Sequence, residues 1–117
     1  MSEAVLEARG LYKRHRQGPL DVAVLHVPTI KPLDVETILA EVGKGGRAVV
    51  VAENHTVIGG LGEAVATQIL KAGLSPSFHQ IGLPDEFLDA GALPTLHDRY
   101  GLSASSVVSR LKSIVSK

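Results

Sequence analysis

The chain has 117 residues, with 12 basic and 12 acidic side chains and no cysteine. That length suits one domain around a single core. The balanced charge gives no global field for nucleic acid or an anionic membrane, and the missing thiols exclude disulfide scaffolds, zinc–thiolate sites and cysteine nucleophiles. Aromatic residues, 3% of the chain, are too few for a base-stacking surface. No apolar run approaches the ~20 residues that span a bilayer, and MSEAVLEARG lacks the basic-then-apolar layout of a signal peptide. A cytoplasmic protein is expected, contacting neither nucleic acid nor membrane.

Residues 2–16 are predicted to form an amphipathic helix, with Ser2 as N-cap, an apolar face of Val5, Leu6, Ala8 and Leu11, and the basic run Lys13–Arg16 at its carbonyl end. Gln17-Gly18-Pro19 would stop it. DVAVLHVPTI (21–30) reads as a strand bounded by Pro28 and Pro32. Asp34 is placed to cap a helix whose Val35, Ile38, Leu39 and Val42 fall on one stripe, ended by Gly43, Gly45 and Gly46. RAVVVAE (47–53) is the uninterrupted apolar strand expected where both faces are covered. Leu61, Val65 and Ile69 mark the next helix, ending at Gly73, and SFHQIGLP (77–84) is a weaker strand. Asp85-Glu86-Phe87 suggests a helical turn. ALPTLHDRYG and SASSVVSRLKSIVSK read as two closing helices, the last capped by Ser103 with Val107, Leu111, Ile114 and Val115 inward. Helices alternating with strands predict an α/β domain with a largely parallel sheet. Three strands are few for such a domain, so a strand is expected to be missing at the front.

The chemistry is concentrated in AENHTVIGGLGEAVA (52–66). A dinucleotide turn needs its first glycine directly after the strand, but Gly59 comes six residues after Glu53. Val65 occupies the place of the third small residue, and no Lys-Ser/Thr follows as in a P-loop. The glycines are therefore read as permitting a tight loop and close packing at a helix start. Glu53 and His55 fall at the carboxyl edge of a buried strand. They could form a hydrogen-bonded pair fixing the loop, contact another domain or subunit, or carry a proton or an anion. His15, His26, His79 and His97 lack metal-ligand spacing, Asp85 reads as a helix cap, and Asp98, Arg99 and Tyr100 as a local salt bridge and packing anchor. No hydrolase-type nucleophile context is present.

The same segment resembles the C-terminal domain of transketolase-like, thiamine diphosphate-dependent enzymes. Glu53 and His55 match the family's acidic residue and histidine. Gly59, Gly60, Gly62, Glu63, Ala64 and Val65 match its Gly-Gly-x-Gly run, whereas Asn54 and Ala52 depart from the usual acid and valine. TIKPLDVETI (29–38), IGLPDEFLDAG (81–91) and YGLSASSVV (100–108) resemble further family elements, in the family's order. The resemblance implies a three-layer α/β/α domain with a mostly parallel sheet, lacking the first family strand and incomplete at its N-terminus, with residues 1–117 forming one such domain.

The resemblance further implies a dimer-building, assembly-supporting role in an enzyme that transfers a two-carbon ketol unit between sugar phosphates. In the complete enzyme, thiamine diphosphate and a divalent metal such as Mg would be held by preceding domains. This chain would carry no catalytic, cofactor-binding or metal residue. Glu53, His55, Gly59, Gly60 and Gly62 would be interface or loop-organising residues. The partners implied are the remaining transketolase domains or a separate N-terminal subunit, and a second copy in a homodimer. Asn54 also fits the Glu-Asn pair of deoxyxylulose-phosphate synthase, and the β subunits of 2-oxoacid dehydrogenases have similar domains. A stand-alone binding module is the alternative from another class.

Overall fold

The computed structural model describes residues 12–17 and 20–116. In chain order the elements are β1 (Tyr12–Gln17), β2 (Leu20–Leu25), α1 (Val35–Val42), β3 (Ala48–Thr56), α2 (Leu61–Lys71), β4 (Ser77–Leu83), α3 (Leu93–Arg99) and α4 (Ala104–Val115). The apolar run at 48–52 pairs in parallel with β4, in the register Ala48↔Ser77 to Ala52↔Ile81, with a shift before Thr56↔Leu83. A parallel pair needs a crossover, and α2 supplies it. This is the α/β architecture with a parallel sheet that the alternating elements predict.

Strand alternation sets the two faces of the β3–β4 sheet. Val49 and Val51 of β3 and Phe78 of β4 point into the core with Ile38 of α1 and Val65 and Ile69 of α2. Leu61, Val65 and Ile69 recur every four residues, so one side of α2 meets that face. Ile38, Val51, Val65 and Ile69 are all buried, and burying each such side chain is worth about 1.5–3 kcal/mol. Ile81, also buried, belongs to the alternate set with Ala52, and α4 also contacts β3.

The helix caps follow the sequence. Asp34 Oδ1 accepts the Thr37 N–H at 3.2 Å, and Ser103 Oγ accepts that of Ser106 at 3.3 Å. Val107, Leu111 and Ile114 are half-buried, but Val115 is exposed. Glu41 interrupts the apolar stripe of α1. It is buried and bonded to Lys44 Nζ (2.9 and 2.8 Å) and Arg47 Nη1 (2.6 Å), which ties the end of α1 to the start of β3. Burial raises the Glu41 carboxyl, but the hydrogen bonds and positive charges of Lys44 and Arg47 together outweigh it, leaving its pKa below the ordinary value.

Two expectations are corrected. Residues 12–16, expected as the end of a helix, are strand: Tyr12–Gln17 pairs antiparallel with Leu20–Leu25, from Tyr12↔Leu25 to Gln17↔Leu20. Cross-strand pairing across a two-residue spacing satisfies the backbone that a helix would otherwise satisfy. The rest of that expected helix, residues 2–11, lies outside the described residues. Asp85-Glu86-Phe87 is a bend rather than a helical turn, closed by the Glu86 N–H on the Pro84 carbonyl at 3.0 Å, so Asp85 caps no helix. The expected strand at 21–30 is present as β2, but it pairs with β1 and not with β3. His26 follows it on the surface. Among the described residues no helix is long and apolar enough to cross a membrane.

Candidate functional site

The carboxyl end of β3, the loop 57–60 and the first turn of α2 bring the sequence-predicted residues together. Any helix begins with backbone N–H groups that lack intrahelical partners and a partial positive charge. The N-cap of α2 is Gly60, which has no side chain to answer them. Glu53 does so from the strand: its Oε1 accepts the Leu61 N–H at 2.8 Å and its Oε2 the Gly62 N–H at 2.7 Å. One buried carboxylate, its side chain 9% exposed, thus caps a helix eight residues further on.

Each glycine has a distinct steric reason. Gly59 has φ +77°, a left-handed conformation that side chains disfavour, and its N–H donates to Glu63 Oε1 at 3.0 Å. A Cβ on Gly60 would lie 2.0 Å from Glu53 Oε1 and 2.9 Å from His55 Nδ1. A Cβ on Gly62 would lie 2.1 Å from Nε2 of Gln80, whose amide donates to the Val57 carbonyl at 3.2 Å. Gly60 admits the carboxylate, and Gly62 admits the Gln80 side chain that holds the loop from β4.

Glu53 and His55 are neighbours but not a hydrogen-bonded pair. His55 Nδ1 stands 3.8 Å from Glu53 Oε1 and 2.7 Å from the Thr56 carbonyl. A carbonyl only accepts, so Nδ1 carries the hydrogen in this contact and Nε2 is the ring's other polar atom. The imidazole is 56% exposed. The arrangement is therefore closed on one side and open on the other: Glu53 is spent inside the loop, while Asn54, His55 and Ile58 face outward.

Other groups singled out in the sequence lie elsewhere. His79 Nε2 is 2.7 Å from Ser77 Oγ, both on β4. Arg99 pairs with Asp89 rather than with Asp98, which accepts from Ser103 Oγ at 3.0 Å. Among the described residues no group of three or more His, Asp or Glu side chains could hold a metal ion. Sequence reasoning missed the Gln80 support and the Glu41 cluster. The latter had a signal in the Glu41–Lys44 spacing of three residues.

Residues 1–107 match the family described as transketolase, C-terminal domain. The chain is 63% identical over 98 residues to a transketolase family protein of Sinorhizobium fredii, covering 83% of this chain and 28% of that protein. It is 42% identical over 91 residues to a 1-deoxy-D-xylulose-5-phosphate synthase of Azobacteroides pseudotrichonymphae, covering 76% of this chain and 14% of the other. A Methanocaldococcus jannaschii protein described as a transketolase C-terminal section is 34% identical over 115 residues, 98% of this chain and 35% of that one. The chain thus spans about a third or less of each of these relatives.

Proposed function

Because the chain belongs to the transketolase C-terminal domain family, we propose that residues 1–117 form a single domain that supports assembly and homodimer formation in a cytoplasmic transketolase-like enzyme. That enzyme transfers a two-carbon ketol unit between sugar phosphates. The observation that carries this reading is how Glu53 is used. The N-terminus of a helix at the carboxyl edge of a parallel sheet is a natural place for a diphosphate. Here the Leu61 and Gly62 N–H groups already bind the Glu53 carboxylate.

The residues of this loop therefore do not fit thiamine diphosphate. The cofactor and its divalent metal, Mg, belong in this reading to parts of the enzyme outside these residues, where the cofactor would supply the carbanion chemistry. Glu53, Gly59, Gly60 and Gly62 organise the loop, and His55 is its contact with a neighbouring domain or subunit. None of them acts as catalyst, cofactor ligand or metal ligand.

A second reading, deoxyxylulose-phosphate synthesis, is favoured by Asn54 beside Glu53 and by the relatives named as that synthase. The test is to isolate from its source the polypeptide or complex that carries this domain. It is then assayed for ketol transfer between sugar phosphates and for condensation of pyruvate with an aldose phosphate. Ketol transfer supports the proposal, and condensation moves the domain to the synthase. Neither activity, with no thiamine diphosphate-binding polypeptide recovered, would leave a stand-alone module. Calorimetry on the isolated chain should detect no thiamine diphosphate binding.

A further inference from the structure

A parallel pair of strands delivers its following segments to one end of the sheet. Thr56 pairs with Leu83, and the Val57 N–H donates to the Leu83 carbonyl at 3.0 Å. The loop after β3 and the segment after β4 therefore leave the sheet side by side. The first exposes Ile58 (54%), and the second exposes Phe87 (106%) and Leu88 (39%). Phe87 is one of only two phenylalanines in the chain; the other, Phe78, packs against the core.

Phe87 is not left in water by a loose tail. Two residues on, Asp89 is held twice: its N–H donates to the Tyr100 hydroxyl at 3.3 Å, and its carboxylate pairs with Arg99. Upstream, the Glu86 N–H bonds the Pro84 carbonyl. A single exposed aliphatic residue is ordinary. A wholly exposed aromatic on a segment that leaves β4 and is fastened again at Asp89, followed in the chain by the exposed Leu88, has the character of an interface anchor. The exposed Asp85 and Glu86 precede it, so the charge flanking the anchor is negative.

We propose that Phe87, Leu88 and Ile58 form the surface on which this domain docks against the remainder of the transketolase-like enzyme, through an apolar pocket flanked by lysine or arginine. The inference rests on the function proposed above. The occupant is argued from the relatives, in which 65–86% of the length lies outside the matched part, and from the acidic flank, which calls for a basic counterpart. A second copy of this chain would instead bring Asp85 and Glu86 against the same charges if it paired isologously.

The test uses the protein in its source. Phe87→p-benzoylphenylalanine keeps an aromatic ring at the position and forms a covalent bond on irradiation; Leu70→p-benzoylphenylalanine, on the exposed side of α2, is the control. The expected result is a product at position 87, absent at 70, whose second peptide comes from the portion carrying the thiamine diphosphate site and contains lysine or arginine near the cross-link. Cross-linking to residues 84–92 of a second copy would overturn the docking proposal. So would no product at 87 while the thiamine diphosphate-binding polypeptide is still recovered, and that outcome would leave the proposed function standing. Recovery of no such polypeptide would overturn both.

Discussion

Replacing Glu53 by alanine removes both acceptors that α2 uses at its start. The two bonds, at 2.8 and 2.7 Å, are charge-assisted, and such bonds contribute from about 1.5 kcal/mol each. The expected loss is therefore about 3 kcal/mol, consistent with an N-cap of up to about 2 kcal/mol plus a partly buried dipole interaction of similar size. For a domain of this length the unfolding entropy is about 0.25 kcal/mol/K, so Tm should fall by about 12 °C. Glu53→Gln keeps one carbonyl acceptor but turns an NH2 toward the other backbone N–H, and should lose about half as much. Urea unfolding measures both, and an unchanged m value would confirm that the folded state is still being compared. A loss below about 1 kcal/mol for the alanine variant, or wild-type stability for the glutamine variant, would refute the assignment of Glu53 as the cap.

Two further outcomes are expected. Gly60→Ala should destabilise by about 2 kcal/mol through the contact with Glu53 Oε1. In a double-mutant cycle with Glu53→Ala the two costs should add to less than their sum, and strict additivity would place the clash elsewhere. Glu41 binds fewer protons folded than unfolded because its pKa is lowered. Its contribution is present above the unfolded pKa, about 4.3, and is lost as pH falls through the lower folded value. Unfolding measured between about pH 5 and pH 3 should show a shallower decline for Glu41→Gln than for the parent chain.

Much of the fold is local and could be read from the sequence. Asp34 and Ser103 announce their helices because a cap acts within three residues, and Leu61, Val65 and Ile69 mark α2 because four-residue recurrence is a property of the helix itself. The strand at 12–17 is disguised by Lys13–Arg16, whose charges fit a helix end equally well. Its pairing with 20–25 is signalled only by the two-residue spacing between the segments. Glycine spacing, with Val65 in the third small position and no Lys-Ser/Thr after it, argues against a nucleotide turn. It does not show that Glu53 reaches Leu61 and Gly62, since eight or nine residues and a change from strand to helix separate acceptor from donors. Gln80 is further out of reach, because its place beneath Gly62 depends on which strand lies beside β3. Phe87 gives a misleading signal: Asp85-Glu86 ahead of an apolar residue resembles a helix start, yet the segment bends there and is tied down at Asp89.

The Glu53 carboxylate is in effect a resident counter-ion. Glycine-rich turns that open a helix commonly borrow an anion from solution and take their final shape around it, which makes them sensors of that solute. This turn carries its anion on the neighbouring strand, so its shape is complete before anything binds. Phosphate or sulfate should leave it unmoved, and a subunit meeting it would find a surface whose ordering cost was met during folding. The Leu61 and Gly62 N–H groups, already held by Glu53, need no phosphorylated solute to complete them.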